Sequence, residues 1–308
     1  MRKGLLLTSS AIVVSGLVLW GSNYSAIQSS SENVPVANHA DSSIVLSAKT
    51  PSNPDVILID PSNGKEIQRL KASSISNRDN AEAIAESLEE KYDQAMVPAK
   101  LGPDGQLVPG KPRIVLDKKA LVSELINPSA FKMTLSIPLD ITKPNVTSSS
   151  TRNIDKVLLA SYVTKFDPSV TGRVTNIQLS SQAINNVVLG PGDRFYYNLI
   201  VGERTEERGY QKAMEIVNKE LVDGIGGGIC QTSSTLYNAI DKAGLGIIEL
   251  HHHSKHVGYV SEKRDATVSY GGKDFKFVNT KNYPVIIKTI VDKNAGTIEV
   301  QVRAAENS

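Results

Sequence analysis

The sequence predicts an α+β fold with a mostly antiparallel sheet, on three observations. Short alternating apolar runs recur through the second half, the last two forming a hairpin across a polar turn. Upstream, a strand over Arg113–Leu116, a helix over Lys118–Ile126 and an alternating strand over Phe131–Leu139 make a compact αβ pattern. A glycine run, Gly226-Gly227-Gly228, stands directly before Cys230-Gln231 and a helical stretch, so one helix is expected to begin at a tight turn that carries the chain's single cysteine.

The 308 residues suit about two domains, and 40% hydrophobic with 21% charged residues is an ordinary globular balance. The formal net charge of +2 gives no reason to expect a nucleic-acid partner. One cysteine excludes an intramolecular disulfide framework and a multi-cysteine zinc site.

At the N-terminus, Arg2 and Lys3 precede an apolar run from Gly4 to Trp20, followed by small and polar residues to Ala26. This order is that of an export signal or N-terminal membrane anchor over residues 1–26, which places the rest outside the cytoplasm, secreted or held at the cell membrane. Residues 27–53 are rich in Ser, Asn, Ala and Pro and read as a linker.

A small α+β module is expected over 54–148. Asp55–Asp60 is a strand candidate closed by Pro61-Ser62-Asn63-Gly64, and Asn80 is a candidate cap for a helix running to about Met96. Arg113–Leu116 reads as a strand, Asp117 as the cap of a helix over Lys118–Ile126, and Phe131–Leu139 as an alternating strand.

Residues 149–308 form the expected second domain. Phe195 and Tyr197 alternate with Tyr196, and Phe275 and Phe277 alternate with Asp274, Lys276 and Asn279. The aromatic rings are expected in the core, and the polar partners toward water or a site. Gln231–Ala243 is the helix, with Leu236, Ile240 and Ala243 on one stripe and Gly244 as its stop; Pro284–Val291 and Thr297–Val302 make the closing hairpin.

Chemistry concentrates around Cys230. A thiol at a helix start is biased toward thiolate by the unpaired N–H groups and the positive end of the helix dipole. Downstream, Gly246 to His253 reads as a strand ending in His251-His252-His253, and Asp265–Tyr270 as another strand starting at an acid. A cysteine nucleophile needs a base and a group to orient that base. Cys230 as nucleophile, His253 or His251 as base, Asp265 or Asp274 as orienting carboxylate, and Gln231 or backbone N–H groups as oxyanion donors supply those types, in the order of papain-like and transglutaminase-like enzymes. Two further readings stand beside this one. On a strand His251 and His253 share a face and could hold zinc, although the spaced ligand pairs usual for zinc are absent and no cofactor is the leading expectation. The histidines could also be solvated strand ends, His252 and His256 first among them, beside a structural cysteine.

The blocks Leu189-Gly190-Pro191-Gly192-Asp193-Arg194-Phe195-Tyr196-Tyr197-Asn198, Val201-Gly202-Glu203-Arg204-Thr205, Gly209-Tyr210, Gly226-Gly227-Gly228-Ile229-Cys230-Gln231, His251 and His253-Ser254, Asp265-Ala266-Thr267-Val268 and Asp274 to Asn279 resemble the VanW family in order and spacing. Departures are Leu250 and His252, where the family usually has Arg and Pro, Tyr196, where it has a small residue, and the stretch near Lys263, where it has Gly. Residues 93–148 are similar to the peptidoglycan-binding module often found upstream of VanW domains. The resemblance implies a cell-envelope protein of Gram-positive-type bacteria, in a family named after an accessory protein of vancomycin-resistance clusters. The expected function is binding or remodelling of peptidoglycan or its stem peptides in cell-wall maturation, through a cysteine-dependent amide hydrolase or transferase site. The alternative is a non-enzymatic wall-binding or scaffolding protein. Gly226, Gly227, Gly228, Asn198, Arg204, Tyr210 and Asn279 are the candidate binding residues.

Overall fold

The computed structural model describes residues 55–75, 77–127, 134–217 and 220–306. The expected signal or anchor, the linker and the start of the Phe131–Leu139 run lie outside them. Among the described residues no helix is long and apolar enough to cross a membrane.

The upstream segment is built from β1 (Val56–Ile59), β2 (Glu66–Leu70), α1 (Arg78–Tyr92), β3 (Ala99–Leu101), β4 (Leu107–Val108), β5 (Arg113–Leu116), α2 (Lys118–Ile126), β6 (Thr134–Ser136) and β7 (Leu139–Thr142). Asp117 caps α2 as expected, its Oδ1 accepting the Ala120 N–H at 2.9 Å. The cap of α1 is Asn77 rather than Asn80: Asn77 Oδ1 accepts the Asn80 N–H at 2.8 Å, so Asn80 already lies inside the helix. That helix ends at Tyr92, short of Met96. Leu58, Ala81, Ala85 and Leu121 are fully buried where α1 and α2 meet the strands. The run expected as one strand to Leu139 divides at Pro138, with β6 pairing parallel to β1 and β7 antiparallel to β5.

The remainder is β8 (Val157–Lys165), α3 (Thr171–Ile184), β9 (Val187–Leu189), β10 (Arg194–Tyr196), α4 (Tyr197–Val201), β11 (Lys212–Val217), β12 (Glu220–Ile225), α5 (Ile229–Lys242), β13 (Gly246–Glu249), β14 (Lys276–Val278), β15 (Val285–Asp292) and β16 (Thr297–Ala304). A six-stranded antiparallel sheet runs β4-β3-β9-β15-β16-β8. Ala99 faces Val188 in its ladder, so strands from the segment placed upstream on sequence are hydrogen-bonded into the sheet of the second half.

Strand β16 shows why α5 has a fixed seat. Ile298, Val300, Val302 and Ala304 are fully buried while the residues between them are partly exposed, the period-two pattern of a sheet with one covered face. The expected terminal hairpin is β15–β16, and α5 packs over β8 and β16 while α3 packs over β15. Leu236, Ala239 and Ile240 enter the main core with Phe195, Tyr197, Phe275 and Phe277. Phe195 stacks on Phe277 with centroids 4.7 Å apart.

Helix α5 is buried on its polar side as well. Thr232, Ser233, Ser234, Thr235 and Asn238 are at most 1% exposed, and each finds a hydrogen bond, as buried polar groups require. Ser233 Oγ donates to the Ala266 carbonyl at 2.6 Å, the Ala266 N–H donates to Ser234 Oγ at 2.9 Å, and Asn238 Nδ2 donates to the Arg264 carbonyl at 2.7 Å. These bonds strap residues 264–266 to the helix and bring Thr267 and Val268 beside Cys230.

One expected strand is shorter than the sequence suggests and another is a loop. The strand toward the histidines stops at Glu249, and residues 265–269 form none. The backbone there is engaged elsewhere: the Thr267 N–H donates to the His251 carbonyl at 2.8 Å, and His252 and His253 turn to the Asp265 carboxylate instead of continuing a ladder.

Candidate active site

Cys230 is the second residue of α5, whose N-cap is Gly228 at φ 111° with no side-chain cap bond. Gly227 and Gly228 are required by close contact. A Cβ on Gly227 would lie 2.4 Å from the Ala213 carbonyl oxygen on β11, and one on Gly228 would lie 2.9 Å from Arg173 Cγ. The glycine run therefore lets the β11–β12 hairpin and α3 both press against the helix start.

Around the sulfur, the Val268 N–H donates to Sγ at 3.5 Å and Thr267 Oγ1 lies 3.9 Å away. The His253 imidazole and the Cys230 thiol line the same cleft, and each shifts the other's titration. His253 Nδ1 lies 2.7 Å from Asp265 Oδ2, which leaves Nε2 for sulfur. Asp265 Oδ2 also accepts the His253 backbone N–H at 2.6 Å, and Asp265 Oδ1 lies 3.1 Å from His252 Nδ1. The side chains of His253 and Asp265 are each only 8% exposed, which shields their pairing from water.

Burial pushes the Cys230 thiol up, but the hydrogen bond and charge of His253, with Val268 and Thr267, outweigh it and bring the thiol below its ordinary value. His253 moves the other way: burial lowers it, and the thiolate and the Asp265 carboxylate together raise it above the ordinary imidazole value. Burial raises Asp265, and the His253 backbone and side chain more than offset this, holding the carboxyl low. All three directions favour a thiolate–imidazolium–carboxylate array.

The other sequence candidates sit elsewhere. His251 Nε2 lies 2.8 Å from Glu249 Oε1, whose other oxygen pairs with Lys276 at 2.7 Å. Asp274 is buried behind the site, its Oδ1 accepting the Asn198 and Phe275 N–H groups at 2.8 Å each, and burial raises its carboxyl. Asn279 is 1% exposed and donates to the Leu189 and Tyr283 carbonyls. Neither polar partner of the phenylalanines at those two positions faces water. Gln231 is also buried: its Nε2 donates to Thr164 Oγ1 at 3.1 Å and to the Lys165 carbonyl at 2.8 Å. Both amide protons are thus committed to β8, which takes Gln231 out of the oxyanion-donor set and leaves the backbone N–H groups. Asn198 pins the 269–273 turn through the Ser269 and Lys273 carbonyls and accepts from Arg204 Nη2 at 2.7 Å. Arg204 lies over Tyr270, and Tyr210 is buried in the core. No group of three or more His, Cys, Asp or Glu residues with metal-binding proximity occurs among the described residues, and His251 and His253 turn to different carboxylates.

The sulfur opens onto a cleft of about 660 Å³ lined by Gly226, Gly227, Gly228, Cys230 and His253, with Arg173 and Tyr259 on its wall. His256, read on sequence as a solvated end, lines it too, and His252, read the same way, touches Asp265. Arg173, Tyr259, Thr267 and Val268 escaped sequence reasoning as site residues. Arg173 sits on α3, whose buried face includes Asn176, Ser180 and Ser181, so no apolar stripe marks it.

A partly buried thiol–imidazole–carboxylate array at a helix start, set against an antiparallel sheet, defines a cysteine-centred α+β domain. The sequence matches the family described as VanW like protein over residues 172–302, and the chain belongs to the VanW family. It is 40% identical over 207 residues to "Uncharacterized protein YoaR" of Bacillus subtilis (strain 168), a match spanning 65% of this chain and 67% of that protein. It is 28% identical over 116 residues to "Vancomycin B-type resistance protein VanW" of Enterococcus faecalis (strain ATCC 700802 / V583), spanning 35% of this chain and 41% of that protein. No solved structure matches.

Proposed function

We propose that this chain is a cysteine-dependent amide hydrolase or transferase that acts on peptide bonds of cell-wall peptidoglycan. Membership of the VanW family supports cell-wall association in general. The observation that carries the chemistry is the His253 imidazole held by the Asp265 carboxylate in the cleft that Cys230 also lines, with Cys230 at the start of α5.

In the reaction, the Cys230 thiolate attacks an amide carbonyl carbon, forming the C–S bond. The oxyanion is met by the Cys230 backbone N–H at the start of α5. The C–N bond breaks as imidazolium Nε2 gives its proton to the leaving nitrogen, and the thioester remains. Neutral His253 then takes a proton from water or an acceptor amine, whose attack breaks the C–S bond, and sulfur leaves as thiolate. Asp265 keeps Nδ1 protonated and the ring aimed throughout. Gly226 to Gly228 and the turn pinned by Asn198 shape the cleft.

The test is intact-protein mass spectrometry of the purified chain incubated with peptidoglycan stem peptides. A thioester adduct on Cys230, absent in Cys230→Ala, with release of the peptide's leaving portion, is expected. No adduct and no turnover, with wall binding unchanged in Cys230→Ala, would establish the non-enzymatic binding role instead.

A further inference from the structure

The cleft beside Cys230 holds a cation that the proposed chemistry has not used. Arg173 stands on its wall, and its Nη2 donates to Gln231 Oε1 at 2.8 Å. Its guanidinium lies over the Tyr259 ring, 5.9 Å from the centroid. Its stem passes against Gly228, where a Cβ would meet Arg173 Cγ at 2.9 Å and Arg173 O at 3.3 Å. The missing side chain at the α5 N-cap is thus what lets Arg173 cross the helix start and reach the cleft.

Two contacts orient this guanidinium, neither of them a carboxylate, and it makes no ion pair among the described residues. A partly buried arginine held by a neutral amide and a ring keeps donors and charge free. Lys255 and Lys273 line the same cleft, against one lining carboxylate, Glu215, which burial raises above its ordinary value. The wall next to the sulfur is therefore electropositive, with its rigid, fork-shaped member nearest the helix start.

We infer that Arg173 is the specificity-determining residue of the cleft and binds a carboxylate carried by the peptide whose amide meets Cys230. This inference rests on the reading of Cys230 as a reactive thiol. Arginine suits the task because its planar fork meets both carboxylate oxygens, whereas the exposed lysines supply a diffuse field only.

A matched pair of alkylating reagents tests it without requiring turnover. Iodoacetate carries a carboxylate and iodoacetamide does not, and both report the same sulfur. The native chain is expected to favour iodoacetate relative to the rate ratio of a free thiol. Arg173→Gln should reduce that ratio about tenfold while changing the iodoacetamide rate less than about threefold, and Arg173→Lys should retain part of the preference. An acetylated dipeptide with a free C-terminal carboxylate should slow iodoacetamide labelling of the native chain, and its C-terminal amide should not. A ratio unchanged in Arg173→Gln, with Cys230 still reactive, overturns the carboxylate site alone. A thiol inert to both reagents until denaturation overturns the reactive-thiol reading and this inference with it.

Discussion

Nδ1 of His253 lies 2.7 Å from Oδ2 of Asp265, and that same oxygen accepts the His253 backbone N–H at 2.6 Å. One carboxylate oxygen thus fixes both the ring and the chain that carries it. A ring so held presents its second nitrogen to Cys230 with little freedom to turn away, and the first expectation concerns that sulfur.

The alkylation rate of Cys230 in the folded chain should rise with pH through an inflection below the ordinary thiol value of about 8.5. In His253→Ala the largest lowering influences are gone while burial remains, so the inflection should move up from its wild-type position. Rapid-quench labelling across pH 5 to 10 reads both positions. A profile identical in the two proteins would remove His253 from any role at the thiol.

Replacing Asp265 by Asn should cost stability in a pH-dependent way. The folded Asp265 carboxyl is held low, so its contribution is present above its unfolded pKa of about 3.9 and is lost as pH falls through the folded value. His253 is held high when folded, so its contribution is full below about 6.5 and is lost as pH rises through the folded value. The two overlap between about pH 4 and 6.5, and there the wild-type advantage over Asp265→Asn in urea denaturation should be largest. A difference that stays constant from pH 4 to 9 would contradict the pairing.

Gln231→Ala should act on the fold more than on the sulfur. It removes the Gln231 partner of the Lys165 carbonyl and of one Arg173 donor, a loss of about 1–3 kcal/mol for a stranded buried group. A lowered thermal midpoint with the Cys230 alkylation profile kept in position is expected. The converse, full stability with a displaced profile, would return Gln231 to the reacting centre.

Gly227→Ala drives a Cβ to 2.4 Å from Ala213 O and 2.8 Å from Met214 O, both main-chain atoms of β11. The hairpin has to move, at a cost of about 1–3 kcal/mol by analogy with overpacking. Because that hairpin also walls the cleft through Met214 and Glu215, hydrogen exchange should speed up in β11. Unchanged protection in β11 and unchanged stability would show that the contact is soft.

Much of this architecture was legible in the chain. The Gly226–Gly228 run before Cys230 marked the start of α5, Asp117 marked that of α2, and the β-rich run Thr297–Val302 marked β16 as half of a hairpin. These signals are local: a cap, a turn conformation or a side-chain period acts within a few residues. The family blocks, too, are short runs of sequence. Cys230, His253 and Asp265 could be named together because their residue types and order already suited one chemistry.

What the sequence determined by itself was therefore the element types, the helix start beneath the thiol and a short set of candidate partners. The tertiary structure decided which of them meet. His251 and His253 are two residues apart, yet one turns to Glu249 and the other to Asp265, because the chain leaves its ladder after Glu249 and is strapped to α5 through Ser233, Ser234 and Asn238. Gln231 and Asp274, both polar and both near the motif, were drawn into the interior by backbone groups that needed partners there. Arg173 lies 57 residues before Cys230 on a helix with a polar buried face, and only the close passage of α3 over Gly228 sets it beside the sulfur. Such contacts depend on packing between elements far apart in the chain, where no local period or cap records them.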